Sequence, residues 1–132
     1  SERVIDLRER SAIRMEGSGF DSRQYALKAT KHYIPEVTRL LPNYPNPFNP
    51  ETWIPFELSE ESEVSVTIYG LGGEVIRRLD LGRLREGAYI TRADAAYWDG
   101  RNELGERVAS AVYVYEIKAG DFVERRRMLV LK

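Results

Sequence analysis

Leu41-Pro-Asn-Tyr-Pro-Asn-Pro-Phe-Asn-Pro-Glu-Thr-Trp-Ile-Pro-Phe56 divides this chain of 132 residues into two unlike zones. Five of the six prolines fall between Pro42 and Pro55, interleaved with three asparagines and three aromatic residues. Proline fixes φ and brings no backbone N–H, so the run reads as neither helix nor central strand. The expectation is a stiff, extended or turning connector over residues 42–56 that delivers the chain to its C-terminal part.

Beyond the run, the pattern is that of strands. Val64, Val66 and Ile68 alternate with Ser65, Thr67 and Tyr69, the period-two signature of a half-buried strand. Gly70-Leu-Gly-Gly73 supplies a tight reversal, and Glu74 to Leu81 reads as the return strand, with Gly82 and Gly87 bracketing a second loop. Tyr89 to Trp98 reads as one long strand or two short ones, and Asp99-Gly100 with Gly105 marks a further turn. Val108 to Ile117 is the strongest strand pattern, and Ala119-Gly-Asp121 turns it into Phe122 to Leu131 as a terminal hairpin. About seven strands at this spacing predict an all-β, two-sheet sandwich over residues 57–132.

Upstream of the prolines, residues 1–41 read as an arm. Asp21 is a good N-cap and Pro35 a stop, which predicts one helix over 21–34. Before it, Arg3 to Arg8 and Ala12 to Met15 are apolar patches separated by charges, open to several conformations.

Bulk composition narrows the function classes. Twenty basic and 21 acidic residues leave a net charge of −1, against the basic surplus of a nucleic-acid binder, so no nucleic-acid partner is expected. With no cysteine, disulfides, thiolate metal sites and cysteine nucleophiles are excluded. No apolar run reaches the roughly 18 residues of a membrane span. No signal peptide is visible and the chain opens at Ser1, so an exported protein is expected to be a mature form or a piece of a longer parent.

Catalytic chemistry finds little footing. The single histidine, His32, lies on the expected helix, where a surface or capping role is the simpler reading. Gly70-Leu-Gly-Gly73 lacks the Lys-Ser/Thr of a phosphate cradle, and Asp94 and Asp99 form no evident glycosidase pair. Asp99-Gly-Arg-Asn102 sets oxygen-bearing side chains near the spacing of a calcium loop, but Arg101 occupies a ligand position with the wrong charge. Asp99 and Asn102 are therefore expected to shape a turn, and no metal or cofactor is expected. Tyr69, Tyr89, Tyr97, Tyr113 and Tyr115 fall in strands and are read as packing residues rather than a sugar site. Trp98 is expected to anchor the core, and Trp53 to pin the proline run to the sandwich.

The wording of the chain is narrower than its pattern. Asn43-Tyr-Pro-Asn-Pro-Phe-Asn-Pro50, Val64 to Tyr69, Gly72 to Ile76, Tyr97 to Asn102, Gly105 to Tyr115 and Arg126 to Lys132 occur in one order. In that order they resemble the C-terminal sorting-type domains of secreted bacterial proteins: the type A sorting domain of the type IX secretion system, or the immunoglobulin-like domain of flagellar hook-capping proteins. Gly70 and Ala111 depart from that pattern, which usually has Asp and Gly there.

The resemblance covers roughly residues 40–132 and implies an immunoglobulin-like β-sandwich that is secreted or displayed at a bacterial cell surface and is not an enzyme. It implies protein partners, either export machinery or neighbouring subunits. Recognition residues would be Arg126, Arg127, Met128, Leu129, Val130, Leu131 and Lys132, with Asn43, Tyr44, Pro45, Asn46, Pro47, Phe48, Asn49 and Pro50 as the motif opening the domain. An alternative is a structural or adhesive subunit that assembles with its own copies into a filament, donating Val4, Ile5 and Leu7 as a strand to a neighbour's sheet edge.

Overall fold

The computed structural model describes residues 33–132, of which 34–132 form one compact unit. Val4, Ile5, Leu7 and His32 lie outside the described residues, as does the helix expected over 21–34 except for its last two positions. Among the described residues there is no helix.

The described residues form nine strands in two layers: β1 (Arg39–Leu40), β2 (Thr52–Ile54), β3 (Phe56–Leu58), β4 (Ser62–Tyr69), β5 (Val75–Leu84), β6 (Gly87–Tyr89), β7 (Ala96–Trp98), β8 (Ala111–Ala119) and β9 (Phe122–Val130). One layer is a four-stranded antiparallel sheet in the order β5-β4-β8-β9. The other consists of β1-β3-β6 and the pair β2-β7. Val64, Val66 and Ile68 of β4 and Tyr113, Tyr115 and Ile117 of β8 meet Ile54, Phe56, Leu58 and Trp98 in a shared core. The described residues form a β-sandwich.

Local chemistry explains where the strands break. Gly70 and Glu74 close the β4–β5 hairpin, with the Gly70 N–H donating to the Glu74 carbonyl at 2.9 Å. β5 runs on through Gly82 to Leu84 where the sequence suggested a loop. The pairing slips between Val64 and Ser65, leaving Leu81 as the extra residue beside Gly82, whose φ is +79°. A glycine at positive φ permits a bulge without ending the strand. Tyr89 to Trp98 resolves into two short strands that join different sheets.

The proline run differs most from expectation, because it belongs to the sandwich. β1 begins three residues before it and pairs with β3, Leu40 opposite Phe56. Thr52 to Ile54 pairs with β7, and Phe56 to Leu58 pairs with β1 and β6. Pro55 stands between them, and the chain changes sheets at a residue that has no N–H for a ladder. Phe48 and Leu40 are buried with the core. Apolar side chains within the run outweigh the stiffness read from its prolines.

Candidate functional site at the C-terminal strand

β9 is an edge strand, and its face pattern was partly concealed by charge. Phe122, Glu124, Arg126, Met128 and Val130 share the inward face, while Val123, Arg125, Arg127 and Leu129 share the outward one. Met128 and Val130 are core residues. Glu124 and Arg126 instead reach across to the other layer: the Leu40 N–H donates to Glu124 Oε1 at 3.0 Å, and Arg126 Nε donates to the Leu40 carbonyl at 3.0 Å. The two side chains satisfy both backbone groups of β1's last residue, as a neighbouring strand would. Inward-pointing charge on an edge strand also discourages stray pairing.

The opening motif and the closing strand, more than 70 residues apart in sequence, meet at this edge. The Phe48 N–H donates to the Leu129 carbonyl and the Leu131 N–H to the Phe48 carbonyl, both at 3.1 Å, forming a parallel bridge beside Val130. Asn46 Oδ1 accepts the Leu129 N–H at 3.0 Å. The Phe48 ring lies edge-on to Trp98 at 5.6 Å, so the clasp is plugged into the core. The peptide bonds before Pro45, Pro47 and Pro50 are cis.

A second fastening lies deeper. The Tyr115 hydroxyl accepts from the Asn43 N–H at 3.0 Å and donates to the Leu41 carbonyl at 2.9 Å. Burial pushes the Tyr115 hydroxyl up to about 12, partly countered by the Asn43 hydrogen bond and the nearby Arg126. Asn43 Nδ2 donates to Thr52 Oγ1 at 3.0 Å, and that hydroxyl donates to the Pro45 carbonyl at 3.0 Å. The asparagines thus do for the proline run what ladder N–H groups do for a strand.

The seven residues proposed from sequence as one recognition tail are sorted by this geometry. Met128 and Val130 face the core, so a partner at the folded surface would not meet their side chains, while Arg126, half-buried, holds Leu40. Arg127 is exposed, Leu129 is half-buried and Leu131 is 48% exposed. The Lys132 N–H donates to Ser110 Oγ at 2.9 Å, tying down the end of the strand. Of the opening motif, Asn43, Asn46 and Phe48 make contacts that build the site; Asn49 Oδ1 accepts from Arg107 at 3.0 Å. Sequence reading overlooked Leu40, Tyr115 and Glu124. Alternation counted back from Met128 places Glu124 on the core side, a signal that was present.

The Trp-Asp-Gly turn supports the clasp from beneath. Trp98 is fully buried and donates from Nε1 to the Arg101 carbonyl at 2.9 Å. Gly100 has φ of +77°, and a Cβ there would meet the Pro50 carbonyl oxygen at 2.3 Å, so both its conformation and its contact demand glycine. Asp99 Oδ1 accepts from the Arg101 N–H and from Arg77, and Asn102 Oδ1 accepts from the N–H groups of Leu104 and Glu106. These two side chains shape the turn.

The outer face of β2–β7 carries an aromatic ladder. Trp53 stands between Tyr44 and Tyr97, with ring centroids 6.4 and 5.4 Å away, and the Arg92 guanidinium lies 4.2 Å over the indole. Tyr44 donates to the Ile90 carbonyl and Tyr97 to Glu51. Trp53 pins the run to β7 by packing on its cross-strand partner Tyr97, which packs between strands as expected although it is 45% exposed on this outer face. One face of the indole, which a sugar ring would need, is taken by Arg92.

No family model and no curated protein matches the chain. Among solved structures it is similar to dimeric latent PorU from Porphyromonas gingivalis, at 16% identity and a TM-score of 0.54 over 72% of this chain. It also overlaps PorZ, a surface component of the type-IX secretion system of the same organism, at 21% identity and a TM-score of 0.46 over 70% of this chain. The chain spans 9% of PorU and 11% of PorZ. The PorU likeness supports the sandwich fold. Among the described residues, no helix is long and apolar enough to cross a membrane.

Proposed function

We propose that the chain is a non-catalytic sorting and anchoring module of a secreted or cell-surface bacterial protein, recognised through its terminal hairpin. The observation that carries the reading is the convergence of Asn43–Pro50 with Leu129–Leu131 at one sheet edge. Both segments also carry the sequence resemblance to type IX sorting domains, and their meeting gives those two distant motifs one physical purpose. The proline run fixes the end of β9, so the terminal segment is displayed as a preformed strand rather than a loose tail. A fold shared by many unrelated functions adds only permission for this role.

Export tests it. A reporter carrying residues 1–132 at its C-terminus, expressed in a bacterium with type IX machinery, should reach the surface or the medium. The same fusion ending at Arg125 should stay inside. Equal export of both, or of neither, sinks the reading. The alternative, self-assembly by donation of Val4, Ile5 and Leu7, concerns residues outside those described; a solution mass of many subunits that falls to one when residues 1–32 are removed would favour it.

A further inference from the structure

The outer edge of β9 is divided in two. Leu129 turns both its N–H and its carbonyl away from β8, the first to Asn46 and the second to Phe48. The β8–β9 register is unbroken from Ala119–Phe122 to Ala111–Val130, so backbone direction alternates strictly along β9. Val123, Arg125 and Arg127 therefore turn their N–H and carbonyl groups the same way as Leu129. Among the described residues, no backbone group pairs with them on that side. The C-terminal half of the edge is clasped and, among the described residues, the N-terminal half is open.

Two of the three outward side chains over the open half are basic. Arg125 and Arg127 point to the outer face and, with Val114 and Arg126, line a shallow open depression. Arg125 bonds Glu116 through Nε at 2.8 Å, which leaves its two terminal nitrogens for a second acceptor. Arg127 has no ion-pair partner among the described residues. A second copy of the same edge would set arginine against arginine, and like charges directly opposite destabilise a strand pair. An extended segment with carboxylates at alternate positions would meet both guanidinium groups while its backbone completed the ladder.

We infer that Val123 to Arg127 is a strand-addition site for an extended acidic segment of a partner protein. The inference rests on the terminal hairpin being the recognised element, and it names where and by what chemistry. Phe48 and Asn46 set its far limit, because an added strand cannot pass Leu129 without displacing them.

Binding to the purified full chain tests this separately from export. The probe is a short acetylated, amidated peptide alternating Glu with Thr; its control carries Lys for Glu. The acidic peptide should slow hydrogen exchange at Val123, Arg125 and Arg127, and the control should not. Arg127→Glu should weaken binding roughly tenfold, the scale of turning an attractive cross-strand pair into a repulsive one. Arg127→Pro removes an outward N–H that the fold does not use, and should abolish protection while leaving the thermal transition in place. If that variant fails to fold, Val123→Pro asks the same question.

Equal binding of both peptides, or protection elsewhere, overturns the inference. So does protection of these three amides in the chain alone, which would mean that the edge is already filled. Export that fails while the acidic peptide binds here would sink the sorting reading and leave the edge assignment standing.

Discussion

The four-stranded sheet and the proline run are held by different means. In the sheet, backbone answers backbone: β4 and β8 pair over six consecutive positions and β8 and β9 over nine, with core residues on one face. In the run from Leu40 to Pro50, backbone bonds are scattered, at Leu41, Tyr44 and Phe48, and side chains answer much of the remaining backbone. Glu124, Arg126, Tyr115 and Asn46 complete groups that no strand reaches. A ladder spreads its stability over many equivalent bonds, whereas the run concentrates it in a few residues. Single substitutions in the run should therefore act out of proportion to its lack of regular structure.

Phe48→Ala should show the largest effect. The ring is 2% exposed and packs against Trp98, and removing a buried aromatic side chain costs about 3–5 kcal/mol. A connector that merely leads into a domain would lose less than about 1 kcal/mol at such a site. Urea denaturation decides between them. A loss within the smaller range would return the run to the status of a linker.

Gly100→Ala attacks the same contact from the other side. The positive φ alone costs a non-glycine residue about 1–3 kcal/mol, and the new methyl group meets the Pro50 carbonyl, a backbone atom that cannot swing aside. Thermal melting should show a loss of about 2 kcal/mol or more. An unchanged midpoint would mean that the run is free to move off the turn.

Tyr115→Phe isolates the hydrogen bonds between the two regions. It leaves the ring packed but strips a donor from the Leu41 carbonyl and an acceptor from the Asn43 N–H, at about 1–3 kcal/mol for the buried groups. It also changes the response to alkali. The hydroxyl titrates near 10 in an unfolded chain and is held up to about 12 in the fold, so the folded state keeps its proton more tightly. That contribution is complete below pH 10 and is lost as pH rises toward 12. Wild type should lose stability over that interval more steeply than Tyr115→Phe. Parallel curves would place the hydroxyl in an ordinary solvated setting. Tyr113, also raised by burial, leaves some alkaline slope in both.

The same contrast explains what could be read from the sequence. Val64, Val66 and Ile68 declared β4, and Ala119-Gly-Asp121 declared the last hairpin, because ladders impose period two and turns need particular residues. The clasp carries no period. Asn43 and Asn46 stood in the sequence only as parts of a connector and its motif, and their task appears only when Tyr115 and Leu129 arrive from the far end of the chain. Gly82 misled in the opposite sense, since a glycine that ends a strand and one that bulges it are alike in sequence. At the candidate site, the tail residues were found as a block. Their division into core, clasp and open edge depends on which way β9 faces, and Arg126 at an inward position concealed it.

The smallest expected effect gives the sharpest probe of the boundary between the two halves of the edge. Asn46→Ala removes the acceptor of one N–H at an exposed position, where water can replace it, so the global cost should be about 0.5–1 kcal/mol. Its local signature should be larger: hydrogen exchange should quicken at Leu129, while Leu131, bonded to the Phe48 carbonyl, should keep its protection. Asn46→Asp keeps an acceptor oxygen in reach and should restore protection at Leu129. If Leu129 and Leu131 quicken together in Asn46→Ala, the two bonds open as one unit. The open edge would then extend toward the end of the chain whenever the clasp lifts, and the limit that Phe48 sets on an added strand would be a property of the resting state alone.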